Sequence, residues 1–474
     1  MMKKNSRHLT IKKTCLATIL CMFSMPPAFA MQQLSDDTMS DTTGEGIAIL
    51  PEDFKLVFQM PNDKSTGSSY NRPLTGTGAT DPSQFDTGFI RIIPVGEDYS
   101  RYVNSNENLA EKRTKADVFI YGLALSRTND NLNQRFSNTG FTWGSDANPW
   151  VVRAGTQSNV KQFINTNNGD VSYLSIEAPL AREGVYEEDN NIKLGYWLDA
   201  FSRKWGSNNQ VDEITGAPTV AADLPTDQRI RLQLVANGLS LSGSQVRLFQ
   251  TQASPVAQQN QTLGMASLIR QNTHDNPASL TFNKGSNGEA INLVDLNKKA
   301  LRISTAAIDD GTASTPALNR SYAPIFHASE GLYLYSPNIN LVFGNMYQPF
   351  IVGSEGNNIV LEVTRIPNVP DIYNKIYTDY SSEASKAATL CNVASCGSQA
   401  SMISNIKYQA NTATHSSISV GSVTINNKLL EANKNDNATG IVFRGPTNTA
   451  PVNLGSVVID GVLIQHLKFK TTGL

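Results

Sequence analysis

The sequence predicts an all-β fold, and three observations carry that prediction. Apolar residues alternate with period two from residue 54 onward: Phe54, Leu56, Phe58 and Met60 interleave with Lys55, Val57 and Gln59. Such alternation marks strands with one apolar face. A strand-turn-strand motif returns five times along the chain, and an internal repeat of this kind points to stacked supersecondary units. Only 17% of the residues are charged, so the polarity comes mainly from Asn, Ser, Thr, Gly and Gln, a texture suited to sheet faces and turns outside the cell.

Residues 1–30 read as a secretory signal peptide. Lys3, Lys4, Arg7, Lys12 and Lys13 precede an apolar run from Cys15 to Met25, and Ala28-Phe29-Ala30 forms a small-residue cleavage site. The apolar run is about a dozen residues, short of the roughly 20 that a spanning helix needs. Cys21 follows Ile19 and Leu20 rather than small residues, so lipidation is not expected. Removal of the signal leaves 34 Lys and Arg against 41 Asp and Glu, a net charge of minus seven. That balance gives no footprint for nucleic acid. No later segment reads as a transmembrane helix.

Residues 31–50 form an acidic leader, and 51–370 read as the main β body. The five repeats are Val118 to Ser126 around Gly122, Leu232 to Ser242 around Gly238, Leu332 to Leu341 around Ser336 and Pro337, Ile418 to Ile425 around Gly421, and Val457 to Ile464 around Gly461. In each, a strand meets a turn residue and a second short strand follows at once. A glycine there permits positive φ or close backbone approach, so the strand bends and continues in a new direction. Units of this kind would bury a shared apolar interior, as an elongated β-sandwich or a β-solenoid-like stack, and both arrangements fit the repeat. The stretches 206–227, 251–288 and 309–321, rich in Asn, Gln, Ser, Thr, Pro and Gly, are expected as long loops. A short helical insertion is expected near 371–403, followed by C-terminal β repeats over 404–474.

Cys391 and Cys396 are expected to close a small disulfide loop in an oxidising compartment, since a redox pair would normally have two intervening residues and this one has four. His274, His327, His415 and His466 stand alone, without metal-ligand spacing, and no nucleophile elbow, P-loop or dinucleotide fingerprint occurs. The sequence therefore calls for no catalytic residue, cofactor or metal. Trp143, Trp150, Trp197 and Trp205 fall within 63 residues, together with Phe141, Tyr173, Tyr196 and Phe201. This group reads first as core, and second as a platform for stacking sugars.

At the mature N-terminus, Leu34-Ser35-Asp36-Asp37-Thr38-Met39-Ser40-Asp41-Thr42-Thr43-Gly44-Glu45 resembles the pattern L-S-D-x-x-L-S-x-x-T-G-Q, with Met39 in place of leucine and Glu45 in place of glutamine. That pattern opens mature surface and pilus-assembly proteins of gammaproteobacteria, and the chain is similar to the FilA-like pilus assembly family. The resemblance covers the N-terminal motif, with Leu34, Ser35, Asp36, Thr43 and Gly44 carrying it, and more loosely the repeats. It implies residence at the outer membrane or cell surface and a part in pilus assembly or adhesion, with other surface-assembly proteins or glycans as partners. The alternative expectation is a polysaccharide-binding or polysaccharide-active protein. An outer-membrane barrel ranks third, because the strands lack a sustained outward apolar band and the chain ends in Gly473-Leu474 rather than an aromatic residue.

Overall fold

A computed structural model describes residues 46–57, 89–92, 113–146, 148–164, 168–179, 181–182, 191–204, 229–271, 297–308, 324–377, 406–407, 413–426, 429–434, 438–446 and 449–471. The signal peptide, the N-terminal motif, the Cys391 and Cys396 pair, Trp205 and the expected loops 206–227 and 309–321 lie outside the described residues.

Among the described residues the chain builds two large antiparallel sheets, eleven- and nine-stranded, two further two-stranded pairs and one short α-helix. It opens with β1 (Gly46–Ile49) in the larger sheet and passes to β2 (Leu56–Val57), β3 (Phe89–Ile92) and β4 (Arg113–Arg127) in the smaller. It then crosses to β5 (Trp150–Lys161) and β6 (Asn168–Glu177) in the larger, makes the short β7 (Ala181–Arg182), and returns to β8 (Ile192–Lys204) and β9 (Arg229–Leu239). The alternation continues with β10 (Gln245–Gln250) and β11 (Leu263–Gln271) in the larger sheet and β12 (Ala300–Ser304) and β13 (Gly331–Tyr335) in the smaller. Next come β14 (Asn338–Phe343), β15 (Phe350–Glu355) and β16 (Asn358–Val363) in the larger sheet, helix α1 (Pro370–Ile376), β17 (Ile406–Lys407) paired with β7, and β18 (Ser416–Val420). A side hairpin of β19 (Val423–Asn426) and β20 (Leu429–Ala432) precedes β21 (Ile441–Arg444) and β22 (Val452–Gly455) in the smaller sheet, and β23 (Val457–Val462) and β24 (Leu467–Lys470) close the chain in the larger.

The larger sheet runs β1-β5-β6-β10-β11-β14-β18-β23 and the smaller β2-β4-β8-β9-β12-β13-β21-β22. These orders match position by position: six positions hold two strands adjacent along the chain, while β6 and β8 are separated by the short β7, and β18 and β21 by the side hairpin. The two sheets are therefore up-and-down meanders in matching order, and each position has one arm in either sheet. β15, β16 and β24 extend the last three positions, pairing in turn from the free end of β11. A solenoid would stack coils in parallel; here neighbouring strands run antiparallel, so the solenoid alternative does not hold.

Two of the five repeats, those at Gly238 and Ser336, carry the chain from the smaller sheet to the larger as the repeat predicts. Gly122, Gly238, Ser336, Gly421 and Gly461 all have positive φ, between 46° and 83°. At the end of β9, Gly238 has φ 77°, and a Cβ there would lie 2.0 Å from the Lys298 carbonyl oxygen, so only glycine admits this conformation. Ser336 turns β13 into β14, its N–H donating to the Lys299 carbonyl at 2.7 Å. Gly122 and Gly461 lie instead inside β4 and β23, and Gly421 leads into the side hairpin. The expected loop over 251–288 is partly wrong, since Leu263–Gln271 is strand β11 at the middle of the larger sheet.

Each arm has a covered face and an open face. On the larger sheet, α1 covers the far arm: Ile372 and Ile376, four residues apart and so on one side of the helix, are fully buried against Val160, Val171, Phe249 and Ala266. Burying two isoleucines contributes about 1.5–3 kcal/mol each, and Pro370 at the first helical position fixes where the helix begins. On the smaller sheet, the segment after β4 lays Leu132 against Val235, Ala300, Tyr333, Tyr335 and Val442.

Candidate functional site

Alternation places different chemistry on the two faces. On the open face of the larger sheet, in-register rows run Val152, Ile176, Val246 and Ala154, Leu174, Leu248, Met265. A further row, Leu263, Val352, Leu361 and Phe469, crosses β11, β15, β16 and β24 with side chains 36% to 59% exposed. Ile339, Ile418 and Ile459 form another. The smaller sheet continues the pattern through Ile90, Ile120, Leu198, Leu232, Ile303 and Leu332. Phe443 and Val452 end it, 47% and 57% exposed.

The charged strand residues stand on the covered face: Arg153, Glu177, Arg247, Arg270 and Glu362 in the larger sheet, and Lys193, Asp199, Arg231, Arg302 and Arg444 in the smaller. Asp170, Arg127 and Lys161, at strand ends, fall on the opposite parity, and Lys468 and Lys470 of β24 are exposed. The expectation of strands burying their aliphatic faces therefore holds only locally, where Ile192, Ala236 and Leu239 are buried with Phe141; over the rest of the sheets the aliphatic face is the open one. Period two shows that one face is apolar without showing which face is covered.

Buried charges need partners, and the covering segments supply them. Arg231 makes a two-pronged pair with Asp199, at 2.8 and 2.9 Å, with both residues buried. Arg135 reaches from its loop to the Gly122 carbonyl and stacks over Trp197 at 4.1 Å from the ring centre. Gly122 permits this, because a Cβ there would sit 2.4 Å from the indole. Arg302 is 1% exposed and is held by the carbonyls of Leu132 at 3.2 Å, His327 at 2.5 Å and Glu330 at 2.7 Å. Burial pushes its guanidinium below the ordinary range. Burial acts to raise the Glu330 carboxyl, but hydrogen bonds from Ser304 Oγ at 2.6 Å, the Ala306 and Thr305 N–H groups and Thr305 Oγ1 outweigh it and hold it low.

Beside this network lies a polar cavity of about 340 Å³, lined by Asp130, Asn131, Asn133, Asn297, Ser329, Tyr333 and Arg444 together with Leu132 and Ala328. Tyr333 separates two guanidinium groups, Arg302 at 5.6 Å and Arg444 at 4.7 Å from its ring centre. Arg444 donates from Nη2 to Tyr335 Oη at 3.0 Å, while its Nε is buried and makes no hydrogen bond. At the cavity's edge Lys193 donates to Asn129 Oδ1 at 2.6 Å and to the Asn131 carbonyl, and burial pushes its ammonium down to about 7. The lining is rich in donors and suits a polar or anionic group. Among the described residues no cluster of His, Cys, Asp and Glu has the makings of a metal site. His415 is buried beside Thr414 Oγ1 at 2.9 Å, and His466 lies 3.2 Å from Glu362.

The three described tryptophans do not share one surface. Trp143 and Trp150 pack edge to face at 4.7 Å and continue an aromatic ladder through Phe141 to Phe54, at 6.0 and 5.4 Å. Phe141 packs in turn on Ile192, Ala236 and Leu239 of the smaller sheet, so the ladder bridges the two arms. Trp197 is 3% exposed, beneath Arg135 and bonded through Nε1 to Gln233 Oε1 at 3.0 Å. Sequence reasoning passed over Arg302, Glu330 and Arg444. Arg302 alone carries a signal, a charge between the aliphatics Leu301 and Ile303; Glu330 and Arg444 have no such flanks, and partners contributed by distant segments leave no spacing to read.

No protein-family model matches the chain, and neither the curated proteins nor the solved structures contain a significant match.

Proposed function

We propose that this chain is an exported structural or accessory protein of the cell surface that works by non-covalent assembly, in pilus assembly or adhesion, rather than by catalysis. The observation that supports this most is the open face. A wide, nearly charge-free aliphatic surface exposed to water is uncommon on a protein that works alone, and marks a place where something else packs. The signal peptide and the N-terminal resemblance add the expected location, the outer membrane or cell surface. To test this, intact cells are treated with protease, their filaments are sheared and pelleted, and every fraction is probed for the chain. Cleavage on whole cells and co-pelleting with filaments are the expected results. A protected, periplasmic chain absent from filaments would overturn the surface role.

A second reading, binding of a carboxylate-bearing glycan, draws on the cavity beside Tyr333 and Arg444. Its donors and its aromatic wall suit an acidic sugar. Titration with uronic acid oligosaccharides followed calorimetrically should show binding that Arg444→Ala weakens at least tenfold; no heat with the wild-type protein removes this reading. Trp197, being buried, takes no part in such a platform.

A further inference from the structure

We propose that the open face of the larger sheet is a self-association surface, whose occupant is the same face of a second copy of this chain. The inference rests on the assembly reading above and names the partner.

Four observations favour a second copy. The centre of the face, around Leu174, Ile176 and Leu248, is aliphatic, while its fringe carries uncharged polar groups such as Ser172 and Gln250. An apolar centre with a polar rim is the anatomy of a protein interface. The near absence of charge matters for symmetry: about a two-fold axis the same patch meets itself, so a face dominated by one sign of charge would repel its copy, whereas aliphatic rows are self-complementary. Extent is sufficient as well. Eight strand positions at about 4.8 Å spacing, with about three rows of open-face side chains, give a surface of about 34 Å by about 20 Å. That is on the scale of the roughly 800 Å² per partner that a stable pair buries, and sheets stack readily at about 10 Å.

The fourth observation separates a protein partner from lipid. Among the described residues the larger sheet ends at β1, β23 and β24 and the smaller at β2, β3 and β22, without closing into a barrel. Open edges carry unpaired backbone N–H and C=O groups, which hydrocarbon does not accommodate but an aqueous protein dimer does.

The test uses the exported protein purified without detergent and followed by sedimentation velocity from 0.1 to about 50 μM. The expected result is a dimer at the upper end of that range, dissociating on dilution. Leu174→Lys with Leu248→Lys, a register pair at the centre, should weaken it at least a hundredfold with an unchanged far-ultraviolet spectrum, whereas Leu232→Lys on the smaller sheet should leave it intact. If the double variant fails to fold, Leu248→Cys, a small change, serves instead: its maleimide labelling should be slowed severalfold at high protein concentration relative to low.

A wild-type chain that stays monomeric throughout overturns the proposal. So does a chain that sediments with phospholipid vesicles in place of pairing, which would assign the face to lipid. A monomer that still travels with filaments sinks the second copy and leaves the assembly reading standing. A dimer missing from the cell surface does the reverse.

Discussion

Replacing Asp199 with alanine tests the idea that the covered face is held by paired charge. Asp199 is fully buried and Arg231 is 5% exposed, and they are joined by two hydrogen bonds of 2.8 and 2.9 Å across β8 and β9. Removing the carboxylate leaves a guanidinium in a poorly solvating interior, for which about 3–5 kcal/mol of destabilisation is expected. Most of that is the penalty of the stranded cation, not the worth of the pair. A second variant exposes the difference: Asp199→Leu with Arg231→Met replaces both charges by apolar groups of similar volume and should recover to within about 1–2 kcal/mol of the wild type. Urea unfolding followed by fluorescence suits the measurement, because Trp197 shares the covered face two residues from Asp199 and is itself buried. A single variant that costs under about 1 kcal/mol would refute the reasoning, as would a double variant as unstable as the single.

Gly238→Ala should destabilise by more than the roughly 1–2 kcal/mol of a left-handed backbone alone, since its Cβ would meet the Lys298 oxygen at 2.0 Å; Gly356→Ala, at φ 63° with open space around it, should cost only the conformational part. Equal losses in denaturant melts of the two variants would show that crowding at the bend is unimportant. Burial lowers Lys193 to about 7 from its ordinary 10.5. Below 7 both states carry the charge and burial opposes folding in full; between about 7 and 10.5 the unfolded chain holds a proton that the folded one has released, so stability from this group rises with pH. Lys193→Met should flatten that rise, and an unchanged slope across pH 7 to 10 in unfolding experiments would contradict it. Glu330 has the opposite sign: its carboxyl is held below 4.5, so its contribution is present above that value and lost as pH falls through the lower folded one. Acid unfolding of Glu330→Gln should lack this component, and coincident acid curves for variant and wild type would exclude it.

The bends at Gly238 and Ser336 were legible because glycine, or serine followed by proline, interrupted an apolar run that resumed immediately. Backbone geometry is a local property, and local sequence encodes it. Strand β11 was less legible, since Gly264, Ser267, Arg270 and Gln271 make Leu263–Gln271 read as a polar connection. Arg270 is in fact fully buried, bonded to Asn340 Oδ1 at 3.0 Å and to the Ser242 carbonyl at 2.9 Å, partners some 70 and 28 residues away. A polar residue at a covered position looks like a loop residue until its partner is known. The same blindness governs the faces: Leu232 and Gln233 alternate whether leucine or glutamine is covered, and only the segments laid over Gln233 decide the matter.

Those covering segments explain why the aliphatic face is the one left for contact. Arg302 draws its hydrogen bonds from the carbonyls of Leu132, His327 and Glu330, and Gln348 binds the carbonyls of Thr364, Ile464 and Gln465, each at 2.9 to 3.0 Å. Lifting any of these segments would strand buried polar groups at about 1–3 kcal/mol apiece, more for the charged ones. The aliphatic side chains at the centre of the open face have no polar groups to bond, so a partner can take the place of water over them without breaking hydrogen bonds. It would also meet strands already fixed by their ladders, so little backbone ordering opposes association. Binding through this face should therefore carry the negative heat-capacity change of apolar burial with only small dependence on salt, whereas a partner engaging the covered face would first have to dismantle its polar network.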